Sequence, residues 1–244
     1  VFTLFVGILL HGPPGCGKTM IAKAMAKEAG FRFINLQAST LTDKWYGESQ
    51  KLAAAVFSLA IKIQPTIIFI DEVDSFLRSR ASYDHEATAM MKAQFMSLWD
   101  GLITDPTCQV IVMGASNRPQ DVDAAILRRM PSMFHIGMPD KDQRLCILDL
   151  ILEKEYLSDD IDLTMIAEET SNYSGSDLRE LCRNASVYRV KDYIKFNNPD
   201  TEHSMQEFDM LRPLMLADLQ QAKIKMEESK QKRDGVPQTS IGLD

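Results

Sequence analysis

The segment Gly12-Pro13-Pro14-Gly15-Cys16-Gly17-Lys18-Thr19 has the residue types and spacing of a loop that holds phosphate. Its glycines let the backbone curl until successive N–H groups point inward at anionic oxygens. A helix opening near Gly17 adds its positive end to the same site. Lys18 can reach the outer phosphates of a nucleoside triphosphate, and the Thr19 hydroxyl can ligate Mg2+. An acidic pair, Asp71 and Glu72, closes the apolar run Ile67-Ile68-Phe69-Ile70. There Asp71 would hold Mg2+, mostly through water, and Glu72 would orient and deprotonate an attacking water. Phosphoryl transfer asks for metal, charge neutralisation and a placed nucleophile more than for covalent chemistry. The plain readings are a chance glycine turn and two acids capping a surface strand. Both lose weight because the loop follows an apolar strand, precedes a helix and shares the chain with the acidic pair. Asp74 is ambiguous, and capping the next helix would account for it.

These residues need a frame. Phe5–Leu10 reads as a strand running into the loop, and Lys18–Ala29 as a helix stopped by Gly30. Phe31–Leu36 is a second short strand. Helical periodicity over Glu48–Ile63 ends before Pro65, which disfavours helix at its neighbour. Thr66–Asp71 is apolar enough for a strand buried on both faces. His85–Trp99 reads as helix, Gln109–Ala115 as strand, and Phe134–Ile136 as a last short strand. Strands alternating with helices predict an α/β fold, a parallel sheet sandwiched by helices. Beyond Pro139 the pattern turns all-helical, over residues 141–153, 162–169, 175–196 and 215–231. The expected division is a large α/β domain over residues 1–138 and a small helical domain over residues 139–244. The second would hold a C-terminal helix and a tail that frays from Glu227 onward.

Bulk composition removes several alternatives. The 244 residues are 45% hydrophobic and 25% charged, as in an ordinary globular protein. Net charge is −7, with 34 acidic against 27 basic residues, which argues against broad nucleic-acid binding. The cysteines at 16, 108, 146 and 182 have neither disulfide-scaffold nor metal spacing. His85 has no partner spaced for a metal, and Met90, Met91 and Met96 suit helix packing. The apolar start Val1–Leu10 is too short for a span of about 20 residues. Because the chain opens on Val1, an N-terminal truncation is expected, with any membrane anchor in the sequence before it.

Four stretches go beyond a generic phosphate loop. The loop itself, Ile70-Asp71-Glu72-Val73-Asp74, Gly114-Ala115-Ser116-Asn117-Arg118-Pro119 and Tyr173-Ser174-Gly175-Ser176-Asp177-Leu178 occur in order. Together they resemble AAA ATPases of the branch containing katanin and spastin, over nearly the whole chain. Asp43–Ser49, Asp74–Arg78 and Asp84–Ala89 continuing to Ser97–Leu102 are similar to Thorase and its fungal counterpart, the outer-mitochondrial-membrane extractases. Members of that family pull mislocalised tail-anchored proteins from mitochondrial and peroxisomal membranes.

The resemblance implies a P-loop NTPase (AAA+) core followed by a helical lid, with ATP and Mg2+ as ligands. It implies a homohexamer facing the cytosol and tail-anchored membrane proteins as clients. By position, Asn117 would polarise the attacking water, Gly175 and Ser176 would lie by adenine and ribose, and Met20 would join Gly12–Thr19 around the nucleotide. Arg128 and Arg129 would reach into the next subunit's site, an effect worth roughly 10³–10⁵ in rate; alone they read as a solvated basic pair. Lys44-Trp45-Tyr46-Gly47 fits the central pore loop, where two aromatics grip any extended polypeptide and Gly47 lets the loop bend. Arg80–His85 fits a second, polar pore loop.

The chain departs from the family at Met133, which stands before Phe134 where a second arginine is usual. Methionine cannot donate to phosphate, so trans-activation falls to Arg128 and Arg129 or is lost. Two other functions compete with an ATP-driven extractase. A microtubule-severing or other cytosolic remodelling AAA enzyme would share the engine, although Asp43, Glu48, Asp84 and Glu86 make the pore surroundings acidic. A poorly active nucleotide-binding scaffold would fit Met133.

Overall fold

The computed structural model describes residues 7–37, 46–76, 86–104, 107–196 and 211–234. The chain forms two compact units, Val1–Gly137 and Met138–Asp244.

In the first unit the elements run β1 (Gly7–His11), α1 (Lys18–Glu28), β2 (Arg32–Gln37), α2 (Tyr46–Lys62), β3 (Thr66–Asp71), α3 (Val73–Phe76), α4 (Glu86–Thr104), β4 (Val110–Ser116), α5 (Ala124–Arg129) and β5 (Ser132–His135). The strands make one parallel sheet in the order β2-β3-β4-β1-β5. Side chains alternate across a strand, so neighbours serve different cores. Leu9, Ile68, Ile70 and Val112 pack with Phe57, Phe95 and Trp99 of α2 and α4. Leu10, Phe69, Met113 and Ala115 pack with Ala22 and Ala26 of α1. Each fully buried large side chain contributes on the order of 2–3 kcal/mol of transfer free energy. The continuous run of β3, with Ile68, Phe69 and Ile70 at 0% exposure, is what a strand covered on both faces requires.

The second unit runs α6 (Lys141–Leu152), α7 (Leu163–Glu169), α8 (Gly175–Phe196) and α9 (Leu216–Asp234). A capping box opens α6: Asp140 accepts from the Gln143 N–H, and the Gln143 side chain returns to the Asp140 N–H. Ser174 and Asp177 bond reciprocally at the start of α8. Leu148, Leu178, Leu181, Leu214 and Ala222 form its core.

Several boundaries differ from the sequence reading. The tail expected to fray from Glu227 continues as helix to Asp234. Met226 is buried at 7% exposure, and the straight-chain residues that follow are good helix formers. Helix α4 runs past Trp99 to Thr104 because Leu102 also joins the core. Met91 is buried as expected, whereas Met90 is 59% exposed. Gly47 does not bend a loop: it lies in the first turn of α2, beside Tyr46. Lys44 and Trp45, and the segment Arg80–His85, lie outside the described residues. Among the described residues no helix is long and apolar enough to cross a membrane.

Candidate functional site

Because the strands are parallel, their C-terminal ends face the same way. Register puts His11 of β1 opposite Ser116 of β4, and Ile70 of β3 opposite Gly114 of β4. The phosphate loop after β1, the acidic turn after β3 and the Asn117 loop after β4 therefore share one edge of the sheet, where α/β folds bind ligands.

Three glycines of the loop between β1 and α1, Gly12, Gly15 and Gly17, carry positive φ, and two of them show what the residue type is for. Gly12 has φ of +148°, and a Cβ there would lie 2.0 Å from the Ile136 carbonyl oxygen. Gly17 caps α1 in the left-handed conformation, φ 92° and ψ 15°, without a side-chain cap. The N–H groups of the first helical turn consequently stay available at the loop. Lys18 is buried, and its Nζ donates to the carbonyls of Gly12 at 2.9 Å and Pro13 at 2.8 Å. Burial lowers the Lys18 pKa; the Cys16, Asp71 and Asp74 charges oppose that shift without reversing it.

Thr19 Oγ1 donates to Asp71 Oδ2 at 2.8 Å, across 52 residues of sequence. The Thr19 hydroxyl and the Asp71 carboxylate thus converge on one point beside Lys18. Mg2+ takes few protein ligands and keeps phosphate and water oxygens, so this sparse oxygen pair fits it. Among the described residues no group of three or more His, Cys, Asp or Glu side chains is arranged to cage a metal.

Glu72 is exposed and carries φ of +52°, rare for a non-glycine residue. Left-handed backbone costs such a residue about 1–2 kcal/mol. Local bonds hold it there. Its N–H donates to Asp71 Oδ1 at 3.0 Å, and its carbonyl accepts from both the N–H and the hydroxyl of Ser75 at 2.8 Å.

Asp74 does not act as a helix cap. It lies in the first turn of α3, and its Oδ1 accepts from the Ser116 hydroxyl at 2.7 Å. Asn117 follows Ser116 and is exposed at the same edge. Sequence reasoning gave Ser116 no role; its position next to Asn117 was the available signal.

Pro14 and Met20 are exposed, Met20 at 61%, while Cys16 is partly buried with its thiol 3.8 Å from the Pro14 carbonyl oxygen. Arg128 is exposed at the end of α5. Arg129 is not a solvated partner to it: Nε and Nη2 donate to the two Asp100 oxygens at 2.7 Å each, and Nη1 donates to the Ala125 carbonyl at 2.9 Å. That fork raises the Arg129 pKa and lowers that of Asp100. Met133 is 47% exposed on β5. Gly175 and Ser176 form the first turn of α8 in the second unit.

Known proteins bear on this arrangement. Residues 8–138 match the profile of the ATPase family associated with various cellular activities (AAA), and residues 160–206 match that of the AAA+ lid domain. The outer mitochondrial transmembrane helix translocase of Homo sapiens is 66% identical over 224 residues, covering 92% of this chain and 61% of its own length. The Danio rerio protein of the same name is also 66% identical, over 92% of this chain and 60% of its own length. The mitochondrial sorting homolog of Caenorhabditis elegans is 64% identical over 76% of this chain and 54% of its own. The chain therefore spans about three fifths of the length of its translocase relatives. Among solved structures, the FIGL-1 AAA domain in complex with ADP superimposes with a TM-score of 0.75 at 34% identity, over 94% of this chain and 78% of that one.

Proposed function

The chain belongs to the ATPase family associated with various cellular activities, and from that membership we propose that it is the motor of an ATP-driven protein translocase. The work assigned to it is extraction of mislocalised tail-anchored membrane proteins, threaded through the pore of a homohexamer. Residues 1–138 would form the ATPase domain and residues 139–244 the lid. The name of the relatives at 66% identity supports the substrate class and a site at the mitochondrial outer membrane, facing the cytosol. The peroxisomal membrane is the second location proposed.

One observation carries the chemical part: Thr19 and Asp71 meet at 2.8 Å with Glu72 held at the next position in a strained backbone. In this reading the Gly12–Thr19 loop, with Met20, surrounds the nucleotide, and Lys18 gives up its carbonyl partners for phosphate oxygens. Thr19 and Asp71 hold Mg2+, which supplies charge neutralisation at the phosphates. Glu72 takes the proton of the attacking water, and Asn117 orients that water. Gly175 and Ser176 meet the adenine and ribose side. Lys44, Trp45 and Tyr46 grip the client, with Gly47 next to them at the start of α2. Arg128 is the freer of the two fingers, since Arg129 must leave Asp100 to act in trans.

Substituting Glu72→Gln is expected to keep ATP binding while phosphate release falls by a factor of about 10² or more. Release at the normal rate would overturn the mechanism. A second reading, a poorly active nucleotide-binding scaffold, draws on Met133, exposed on β5. Phosphate release that rises more steeply than protein concentration supports a ring enzyme; none at any concentration supports the scaffold.

A further inference from the structure

In the proposed mechanism Glu72 and Asn117 must address the same water, yet they follow different strands, β3 and β4. Something has to fix their separation. We propose that Ser116 is a positioning residue, whose hydroxyl ties the Glu72 turn to the loop bearing Asn117. The proposal rests on the reading that Glu72 and Asn117 handle the attacking water.

Ser116 ends β4 and is 1% exposed. Its Oγ donates to Asp74 Oδ1 at 2.7 Å and accepts from the Arg118 N–H at 2.9 Å. The first bond reaches the turn two residues after Glu72. The second arches over Asn117 and pins its backbone in a turn of the serine/threonine type. A third bond uses the main chain: the Ser116 carbonyl accepts from the Gly12 N–H at 3.2 Å. One residue therefore joins the acidic turn, the Asn117 loop and the phosphate loop. Only the first two joints depend on the side chain.

A hydroxyl suits this place chemically. It has one proton to give to the Asp74 carboxylate and lone pairs to take the Arg118 N–H. Threonine offers the same pair of functions, and alanine offers neither. Glu72 sits in left-handed backbone, which persists only where its surroundings over-determine it. Removing the Asp74 anchor loosens that turn against Asn117. It leaves the backbone joint to Gly12, and with it the phosphate loop, in place.

The test is steady-state ATP hydrolysis and nucleotide affinity for Ser116→Ala, Ser116→Thr, Asp74→Ala and the double variant, in the assembled protein. Ser116→Ala and Asp74→Ala should each lower kcat about 10- to 100-fold, the scale of small misplacements of reacting groups. For Ser116→Ala, which keeps every charge around Lys18, the nucleotide Kd should stay within about twofold. Ser116→Thr should recover most of kcat, and the double variant should be no slower than the slower single one. Should Ser116→Ala fail to fold, Asp74→Ala carries the same test from a half-buried position. Unchanged kcat, a parallel loss of kcat and affinity, failure of threonine to rescue, or multiplicative losses in the double variant would each overturn the proposal. Glu72→Gln separates the two levels. If it turns over normally, the underlying mechanism fails; if it is inactive while Ser116→Ala is fully active, only the role of Ser116 fails.

Discussion

The two units use charge in opposite ways. At the strand ends of the first unit, Lys18 is held by two loop carbonyls and Thr19 by a single Asp71 oxygen. In the proposed mechanism phosphate and metal take over these contacts. In the second unit the charges close on one another. Arg212 binds Asp192 and both oxygens of Asp218, and also the Pro213 carbonyl. Arg189 binds Glu155, and Arg144 is spent on the carbonyls of Ala167 and Pro139. A sheet already fixes the backbone of the first unit, which leaves the charges at its strand ends exchangeable even though Arg129 and Asp100 close on each other elsewhere in that unit. A small helical unit has no such frame and uses its arginines as struts between elements.

The contrast can be broken by exchanging a charge in each unit for alanine. Lys18→Ala should lower nucleotide affinity by about two to three orders of magnitude, because charge-assisted bonds to phosphate are strong in a partly buried site. Calorimetric titration with ATP measures this. The melting temperature should change far less than the affinity. Arg212→Ala should act the other way. It takes both arginine bonds from Asp218, 7% exposed at its side chain, leaving it the Met215 N–H, and should cost about 2–3 kcal/mol, read as a fall of several degrees in thermal unfolding. Burial raises the Asp218 pKa, but its bond from Arg212 and the Met215 N–H more than reverse this, and the net shift is downward. The stabilisation is therefore present at neutral pH and lost as pH falls below the ordinary value of 3.8. Arg212→Ala should flatten that acid limb. Loss of fold in Lys18→Ala, with Arg212→Ala thermally silent, would erase the distinction.

What could be read in advance follows from how far apart the cooperating residues are. The β3 strand and the phosphate loop are local patterns: a continuous apolar run, and glycines at fixed offsets before Lys-Thr. Neither needs knowledge of the rest of the chain. The Thr19–Asp71 pair was implied because both motifs have known partners in phosphoryl transfer. The Ser116–Asp74 bond was not, since it spans 42 residues and exists only through the pairing of β3 with β4. The Arg129–Asp100 pair was not legible for the same reason: Asp100 lies 29 residues earlier, on α4, and nothing local distinguishes Arg129 from Arg128. The helix end at Thr104 was missed because Leu102 is anchored by tertiary burial, while the polar residues around it suggested a terminus.

A smaller effect sharpens the contrast from within the first unit. His11 and His135 lie side by side on β1 and β5, ring centroids 5.2 Å apart, just before the phosphate loop. Burial, the neighbouring His135 and the Lys18 charge all lower the His11 pKa from 6.5. In that window the unfolded chain takes up a proton that the folded chain refuses, so stability is full above 6.5 and falls as pH drops toward the folded-state value. The loss should be modest, about one to two degrees in melting temperature. His11→Gln should remove this limb of the pH profile while leaving the Asp218 limb intact. Bound nucleotide supplies negative charge that offsets Lys18, so ATP should shrink the His11 limb in the native chain. It should do nothing to the acid limb of the second unit, whose charges are already paired. If ATP left the His11 limb unchanged, the strand-end charges of the first unit would be as closed as those of the second.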